Sequence, residues 1–139
     1  MEVAPIRSLV VDGSEPWRCV VSAILRKCGD CEIVGEAADG MEAVQKIQLL
    51  QPDLTLLDLG LPKLNGIEAA RQIKAIAPQC RILFLTQVYG QEIIEEALQL
   101  GAHGYVLKCD AAHDLPPAVE AAMRNERFMS KSFTEFGLA

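Results

Sequence analysis

The chain has 139 residues and a formal net charge of −6, and half of its residues are apolar. This length supports one domain with a sizeable core and excludes two ordinary ones, and the apolar runs are far shorter than the roughly 20 residues of a membrane span. The acidic balance, with no cluster of Lys and Arg, argues against direct contact with nucleic acid, and the N-terminal residues lack the basic segment of a signal peptide, so we expect a cytoplasmic protein.

Short apolar runs alternate along the chain with amphipathic stretches, which is typical of an α/β domain. The runs that we predict as strands are Arg7–Val11, Cys31–Ala37, Leu54–Leu59, Arg81–Leu85 and Tyr105–Leu107. Helical spacing predicts five helices: one capped by Ser14 whose apolar stripe starts at Trp17, then Met41–Leu50, Ile67–Ile76, Gln91–Leu100 and a last one ending at Arg127. We place the start of that last helix near Asp114, since Pro116 and Pro117 are tolerated only in a first turn.

Strands that alternate with helices through short loops predict a parallel sheet covered on both faces. We assign residues 1–128 to this single domain. Residues 129–139 show no clear periodicity, and we expect them to form a C-terminal tail or the start of a linker.

Polar residues gather at the predicted carboxyl ends of four strands, where an open α/β sheet binds its ligands. They are two carboxylates, a hydroxyl and an ammonium, from Asp12, Asp58, Thr86 and Lys108, a set suited to Mg²⁺ and a phosphoryl group. Each alone has an ordinary structural explanation, since an Asp after a strand often caps a helix or forms a turn. Asp58 is harder to explain, because a carboxylate among leucines is costly to bury unless it is paired. Their joint placement therefore carries the prediction.

The five cysteines are an odd count, which argues against a disulfide framework in a cytoplasmic chain. The Cys28-Gly-Asp-Cys31 spacing falls between a helix end and a strand start, whereas a redox pair usually lies at a helix N-terminus. A zinc site would need a second ligand pair. We interpret these cysteines as structural, and we place His103 and His113 outside the predicted carboxyl edge.

Four segments of the chain together resemble the receiver domains of bacterial response regulators, in particular those of helix-turn-helix transcriptional regulators. They are Leu9-Val10-Val11-Asp12, then Pro52–Pro62 with Asn65-Gly66, then Ile82–Thr86, and finally Gly101-Ala102-His103-Gly104-Tyr105-Val106-Leu107-Lys108. The resemblance covers about residues 6 to 128. It implies a flavodoxin-like, doubly wound sheet of five parallel strands in the order 2-1-3-4-5, with five helices.

The resemblance also implies roles for the matched positions. Asp58 would be the phosphoacceptor, taking a phosphoryl group from a sensor histidine kinase. Asp12, Asp58 and the backbone carbonyl of Gly60 would hold Mg²⁺, and Lys108 would pair with the phosphoryl group. Such a protein is a signalling switch of a two-component system and not a turnover enzyme.

Thr86 and Tyr105 match the family's switch residues. The resemblance implies that Thr86 turns to hydrogen-bond the phosphoryl group and that Tyr105 swings inward behind it, which changes the surface of the fourth helix, fifth strand and fifth helix. It further implies a homodimer through this region and control of transcription by a DNA-binding domain, for which these residues contain no recognisable element.

Two departures from the family pattern leave alternatives open. Gly13 stands where receivers usually have a second acid at the metal site, so the chain is either a receiver with weakened Mg²⁺ binding or a phosphate-independent pseudo-receiver. Cys109 follows Lys108 where many receivers have proline, and we expect a trans peptide there. A flavin protein of the same fold is a third alternative, but it would need a hydroxyl- and glycine-rich loop after the first strand.

Overall fold

Strands and helices alternate through the residues that the computed structural model describes, 4–87 and 90–130. The strands are β1 (Ile6–Val11), β2 (Cys31–Ala37), β3 (Leu54–Leu57), β4 (Arg81–Thr86), β5 (Gly104–Leu107) and β6 (Phe128–Met129). The helices are α1 (Glu15–Lys27), α2 (Gly40–Leu50), α3 (Gly66–Ile76), α4 (Gln91–Gln99) and α5 (Ala111–Met123), with a 3-10 turn at Lys108–Asp110.

The strands form one sheet in the order β2-β1-β3-β4-β5-β6, and every neighbouring pair is parallel. This confirms the predicted doubly wound sheet and its 2-1-3-4-5 order. All four residues of β3 are buried, as expected for a strand covered on both faces. In the described residues, no helix is both long and apolar enough to cross a membrane.

The strand period of two divides the core between the two faces of the sheet. Leu9, Phe84 and Tyr105 point towards α2, α3 and α4, whereas Val10 and Leu83 point towards α1 and α5. The helices therefore cover both faces, and the strand ends are left to form the edge where polar residues gather.

A sixth strand extends the sheet beyond the five that the sequence predicts. β6 pairs with β5 through Gly104 and Phe128. Ser130, the residue that follows β6, is fully buried. Its amide donates to the carbonyl of Tyr105 at 3.0 Å, and the amide of Leu107 donates to its Oγ at 3.1 Å. The expected tail began at residue 129, and residues 131–139 of it lie outside the described residues.

Helix α5 begins at Ala111, so the predicted start near Asp114 is wrong. Asp114 does not cap the helix; its carboxylate accepts a hydrogen bond from Ser130 Oγ at 2.8 Å and contacts His113. The helix grows instead from the preceding 3-10 turn. Pro116 and Pro117 consequently lie inside it, where they remove two backbone donors.

Two helix starts hold the loops around the carboxyl edge. Ser14 caps α1 as predicted, with its Oγ accepting from the amide of Trp17 at 3.4 Å. Asn65 caps α3, and a Cβ atom at Gly66 would lie only 2.2 Å from the carbonyl oxygen of Asp58. Position 66 must therefore be glycine for α3 to start directly against the loop that carries Asp58.

Candidate functional site

The structure places the four predicted polar residues at one edge of the sheet. Asp12 follows β1, Asp58 follows β3, Thr86 ends β4 and Lys108 follows β5. These strands are adjacent in the order β1-β3-β4-β5, so residues distant in sequence meet at their carboxyl ends.

Three of these residues form a charged cluster around Lys108. Its Nζ lies 2.6 Å from Asp12 Oδ2 and 3.3 Å from Asp58 Oδ2. The side chains of Lys108 and Asp12 are 5% exposed, and that of Asp58 is 13% exposed. Buried charges must be paired to be tolerated, and here one cation is shared by two anions. The cluster therefore keeps an excess negative charge, which suits a further cation.

Local hydrogen bonds fix Asp12 in this cluster. Its Oδ1 accepts from the amide of Ser14 at 2.8 Å, and its backbone carbonyl accepts from Arg18 Nη1 at 2.8 Å. Arg18 is itself held by Glu36 through a 3.0 Å ion pair. The orientation of the Asp12 carboxylate is thus set by the start of α1.

The Asp58 carboxylate is held less firmly. The backbone amide of Asp58 donates to the carbonyl of Val11 at 3.1 Å, which anchors the main chain beside β1. The amide of Gly60 reaches Asp58 Oδ1 only at 3.5 Å. Asp58 is also the most exposed of the three charged side chains, so its oxygens are the ones that an incoming group can reach.

Trp17 completes the surroundings of Lys108, a role that the sequence pattern does not predict. The sequence placed Trp17 only in the apolar stripe of the first helix, yet its ring centroid lies 5.0 Å from Lys108 Nζ. The one hint in the sequence is that Trp17 lies in the first turn of the helix that Ser14 caps, directly after the Asp12 loop. Nothing in the sequence, however, specifies that the indole turns towards β5.

A cleft of about 260 Å³ opens beside this contact. Apolar surface dominates its walls, and Thr86 links it to the carboxyl edge. The lining residues are Trp17, Thr86, Gln87, Leu107, Lys108 and Cys109.

The two residues expected to act as a switch are both fully buried. Tyr105 packs against Phe84 with 5.7 Å between the ring centroids. Burial, and to a lesser extent the charge of Asp58, raises the pKa of the Tyr105 phenol well above its ordinary value, so it is protonated at neutral pH. Tyr105 thus lies in the inward position, on the same face of the sheet as Phe84.

The donor set fits a hard divalent cation with few protein ligands. The carboxylates of Asp12 and Asp58 supply oxygens, and the carbonyl of Gly60 is a third candidate. Mg²⁺ is commonly held by one or two carboxylates, with waters and phosphate oxygens completing its shell. Among the described residues, no three side chains of His, Cys, Asp or Glu are grouped to hold a metal.

Gly13 limits this set without blocking it. A Cβ atom at Gly13 would lie 3.4 Å from Pro62 Cδ and 3.6 Å from the carbonyl oxygen of Ala38, which are ordinary contact distances. The backbone there has room for a side chain. Steric crowding of the loop therefore does not explain why position 13 lacks the usual acid.

The geometry of the Cys28 and Cys31 pair favours a structural role. Cys28 Sγ donates to the carbonyl of Ile24 at 3.4 Å, and burial raises the pKa of Cys31 to about 11. A redox-active thiol needs a lowered pKa, so this geometry argues against a redox pair. All five cysteines are unbridged. The peptide bond between Lys108 and Cys109 is trans, as expected, and the described residues contain no cis peptide bond.

Neither histidine lies at the carboxyl edge. His103 precedes β5 at the opposite end of the strand, where burial and the nearby charge of Lys74 lower its pKa. His113 has a side chain that is 94% exposed and lies 2.8 Å from Asp114. Both positions agree with the sequence analysis.

The sequence is similar to those of known response regulators. Residues 8–120 match the family model of the response regulator receiver domain. The response regulator protein VraR of Staphylococcus aureus is 40% identical over 121 residues, which are 87% of this chain and 58% of that protein. The chain thus spans less than two thirds of the length of the curated relatives it matches.

Solved structures resemble the whole described fold. A two-component response regulator of the LuxR family from an Aurantimonas species has a TM-score of 0.89 and 32% identity, covering 95% of this chain and 94% of its own. The isolated receiver domain of RcsB from Salmonella enterica, solved with the phosphomimetic BeF₃⁻, has a TM-score of 0.88 and 25% identity, covering 94% and 97%. RcsB has also been solved as two dimers bound to two parallel DNAs, with 94% of this chain and 67% of that one covered.

Proposed function

The chain belongs to the response regulator receiver domain family, and we propose that it is a phosphorylation-controlled switch whose phosphoacceptor is Asp58. The observation that carries this proposal is the position of Lys108 Nζ, within 2.6 Å of Asp12 Oδ2 and 3.3 Å of Asp58 Oδ2. A buried ammonium beside an accessible carboxylate is suited to receive a phosphoryl group, because charge neutralisation and positioning are most of what the transfer requires.

The reaction follows from the chemistry of the three charged groups. An oxygen of Asp58 attacks the phosphorus of a phosphohistidine, the new O–P bond forms, and the N–P bond breaks with its electron pair going to the histidine. Lys108 then exchanges part of its contact with Asp58 for the phosphoryl oxygens. Asp12, Asp58 and the carbonyl of Gly60 would hold Mg²⁺, which supplies further charge neutralisation when bound.

The switch would act through the buried pair behind the site. Thr86 ends the strand beside β3, and its hydroxyl would turn to hydrogen-bond the phosphoryl group. The resemblance implies that Tyr105 swings inward behind Thr86, but its ring already lies inward against Phe84, so in this chain it would stay packed there. A few kcal/mol of differential contact is enough to shift such a two-state surface. The surface that changes would be formed by α4, β5 and α5.

The proposed partners follow from the family. We assign a cytoplasmic sensor histidine kinase domain as the phosphoryl donor and a second copy of this chain as a dimer partner. RcsB, a relative with 25% identity, assembles as dimers on DNA, which supports the dimer and a role in transcription. DNA contact would come from a separate domain, since nothing in these residues is basic enough to replace it.

A second candidate is a phosphate-independent receiver that works only as an interaction module. Gly13 favours it, because the acid that usually completes the metal site is absent. This candidate keeps the fold and the partner surface but has no phosphoryl chemistry.

Phosphorylation by a small donor separates the two candidates. The protein is incubated with acetyl phosphate and Mg²⁺, and its intact mass is measured against Asp58→Asn. We expect a gain of about 80 Da that requires Mg²⁺ and disappears in the variant. No adduct within seconds to minutes of mixing, or one that persists in Asp58→Asn, would favour the interaction module.

A further inference from the structure

The contact between Trp17 and Lys108 is part of a closed ring of interactions. The amide of Ser14 binds Asp12 Oδ1 at 2.8 Å, and the amide of Trp17 binds Ser14 Oγ at 3.4 Å. The Trp17 ring lies 5.0 Å from Lys108 Nζ, and that ammonium returns to Asp12 Oδ2 at 2.6 Å. The start of α1 therefore orients both an anion and an aromatic face towards the same cation.

Lys108 needs such a second support. A lysine ammonium is a point charge on a flexible four-carbon stem, and its two carboxylates define only one side of it. The face of a tryptophan ring attracts a cation through its quadrupole, most strongly when the cation is withdrawn from water. With a side chain that is 5% exposed, Lys108 meets that condition.

The cleft beside the ring adds to this effect. Trp17 and Leu107 line this cleft together with Lys108, and with Trp17 in place the Lys108 side chain is only 5% exposed. A smaller side chain at position 17 would open the wall and let water solvate Lys108. The ammonium would then be free to leave the carboxylate pair.

We propose that Trp17 is a positioning residue that holds the ammonium of Lys108 at the Asp12–Asp58 carboxylate pair. Resting on the proposed function, the inference extends to the phosphorylated state: by fixing Lys108, Trp17 sets how tightly the site binds a phosphoryl group on Asp58. Trp17 does not touch the reacting atoms and acts only through Lys108.

The test compares variants that keep or remove the aromatic face. Trp17→Phe keeps a ring, Trp17→Leu keeps apolar bulk without one, and Trp17→Met is a second apolar variant in case Leu fails to fold. Thermal unfolding checks that each variant is folded. The first readout is the NMR shift of the Lys108 ε-methylene, assigned with Lys108→Met; the second is the affinity for beryllofluoride in the presence of Mg²⁺.

We expect the Lys108 ε-methylene to be shifted upfield by the ring in the wild type, less in Trp17→Phe and not at all in Trp17→Leu. Loss of the ring should weaken beryllofluoride binding by roughly five- to tenfold, with Trp17→Phe within about twofold of the wild type. Trp17→Leu that binds beryllofluoride as tightly as the wild type, or a wild-type Lys108 ε-methylene that shows no ring shift, would overturn the inference. Wild-type protein that shows the ring shift but binds no beryllofluoride would overturn the proposed function and support the placement of Lys108 by Trp17.

Discussion

Lys108 Nζ lies 0.7 Å closer to Asp12 Oδ2, at 2.6 Å, than to Asp58 Oδ2, at 3.3 Å. The ammonium is thus held mainly by Asp12, which also accepts a 2.8 Å hydrogen bond from the amide of Ser14, and Asp58 keeps the weaker contact. An aspartate that is to react as a nucleophile must not be locked into an ion pair. In the proposed reaction, this asymmetry would leave the Asp58 oxygens available while Lys108 neutralises the charge of an incoming phosphoryl group.

Removing the shared cation is expected to destabilise the fold. Lys108→Met leaves two largely buried carboxylates without the cation that they share, and we expect a loss of about 2–4 kcal/mol in the free energy of unfolding. Urea unfolding followed by circular dichroism measures it. Lys63→Met is the matched control, because Lys63 pairs with Asp39 at 3.6 Å but its side chain is 68% exposed. Such a surface pair contributes less than about 1 kcal/mol, and equal losses in the two variants would contradict the prediction.

Restoring an acid at position 13 is expected to strengthen Mg²⁺ binding. The backbone at Gly13 has room for a side chain, with Pro62 Cδ and the Ala38 carbonyl at contact distance from a Cβ atom. Gly13→Asp would add a third carboxylate to Asp12 and Asp58, and we expect about tenfold tighter binding, since ligand charge governs such sites. Isothermal titration with Mg²⁺ measures the change. Gly13→Asn controls for size, and an equal gain in both variants would show that charge is not the cause.

The sheet and the site edge could be predicted because both depend on short-range patterns. Apolar runs with turn residues behind them define the first five strands, and parallel strands bring their carboxyl ends together whatever lies between them. Asp12, Asp58 and Lys108 could therefore be grouped from the sequence alone. Their distances could not, since these depend on side-chain rotamers.

Features that depend on long-range packing escaped the sequence. β6 has only two residues, too few for a period, and it exists because Phe128 pairs with β5. The start of α5 was misplaced because Asp114, a typical cap residue, bonds instead to Ser130, which is distant in sequence. The indole of Trp17 satisfies a helical apolar stripe in any orientation, so its contact with Lys108 appears only in three dimensions.

Ser130 is expected to stabilise the end of the domain through its hydroxyl. Its Oγ donates to Asp114 Oδ2 at 2.8 Å and accepts from the amide of Leu107 at 3.1 Å. Ser130→Ala leaves both groups unsatisfied in a buried position, and we expect a loss of about 1–3 kcal/mol in urea unfolding. Ser22 is the matched control, since its buried Oγ has no hydrogen-bond partner within the described part of the chain. Ser22→Ala should be neutral or slightly stabilising, so a comparable loss in both variants would show that the Ser130 hydrogen bonds contribute nothing.

Cys31 is expected to react slowly with alkylating reagents in the folded protein. Burial raises its pKa to about 11, and only the thiolate is nucleophilic. Because the fold favours the neutral thiol, the thiolate fraction of Cys31 is small at pH 8.5 and rises as the pH approaches 11. Iodoacetamide labelling, followed by peptide mass mapping, should give a Cys31 rate at pH 8.5 at least about tenfold below that of the same residue in urea. Fast labelling of folded Cys31, or a disulfide to Cys28 under mild oxidation, would show that the CxxC pair is redox-active and that its structural interpretation is wrong.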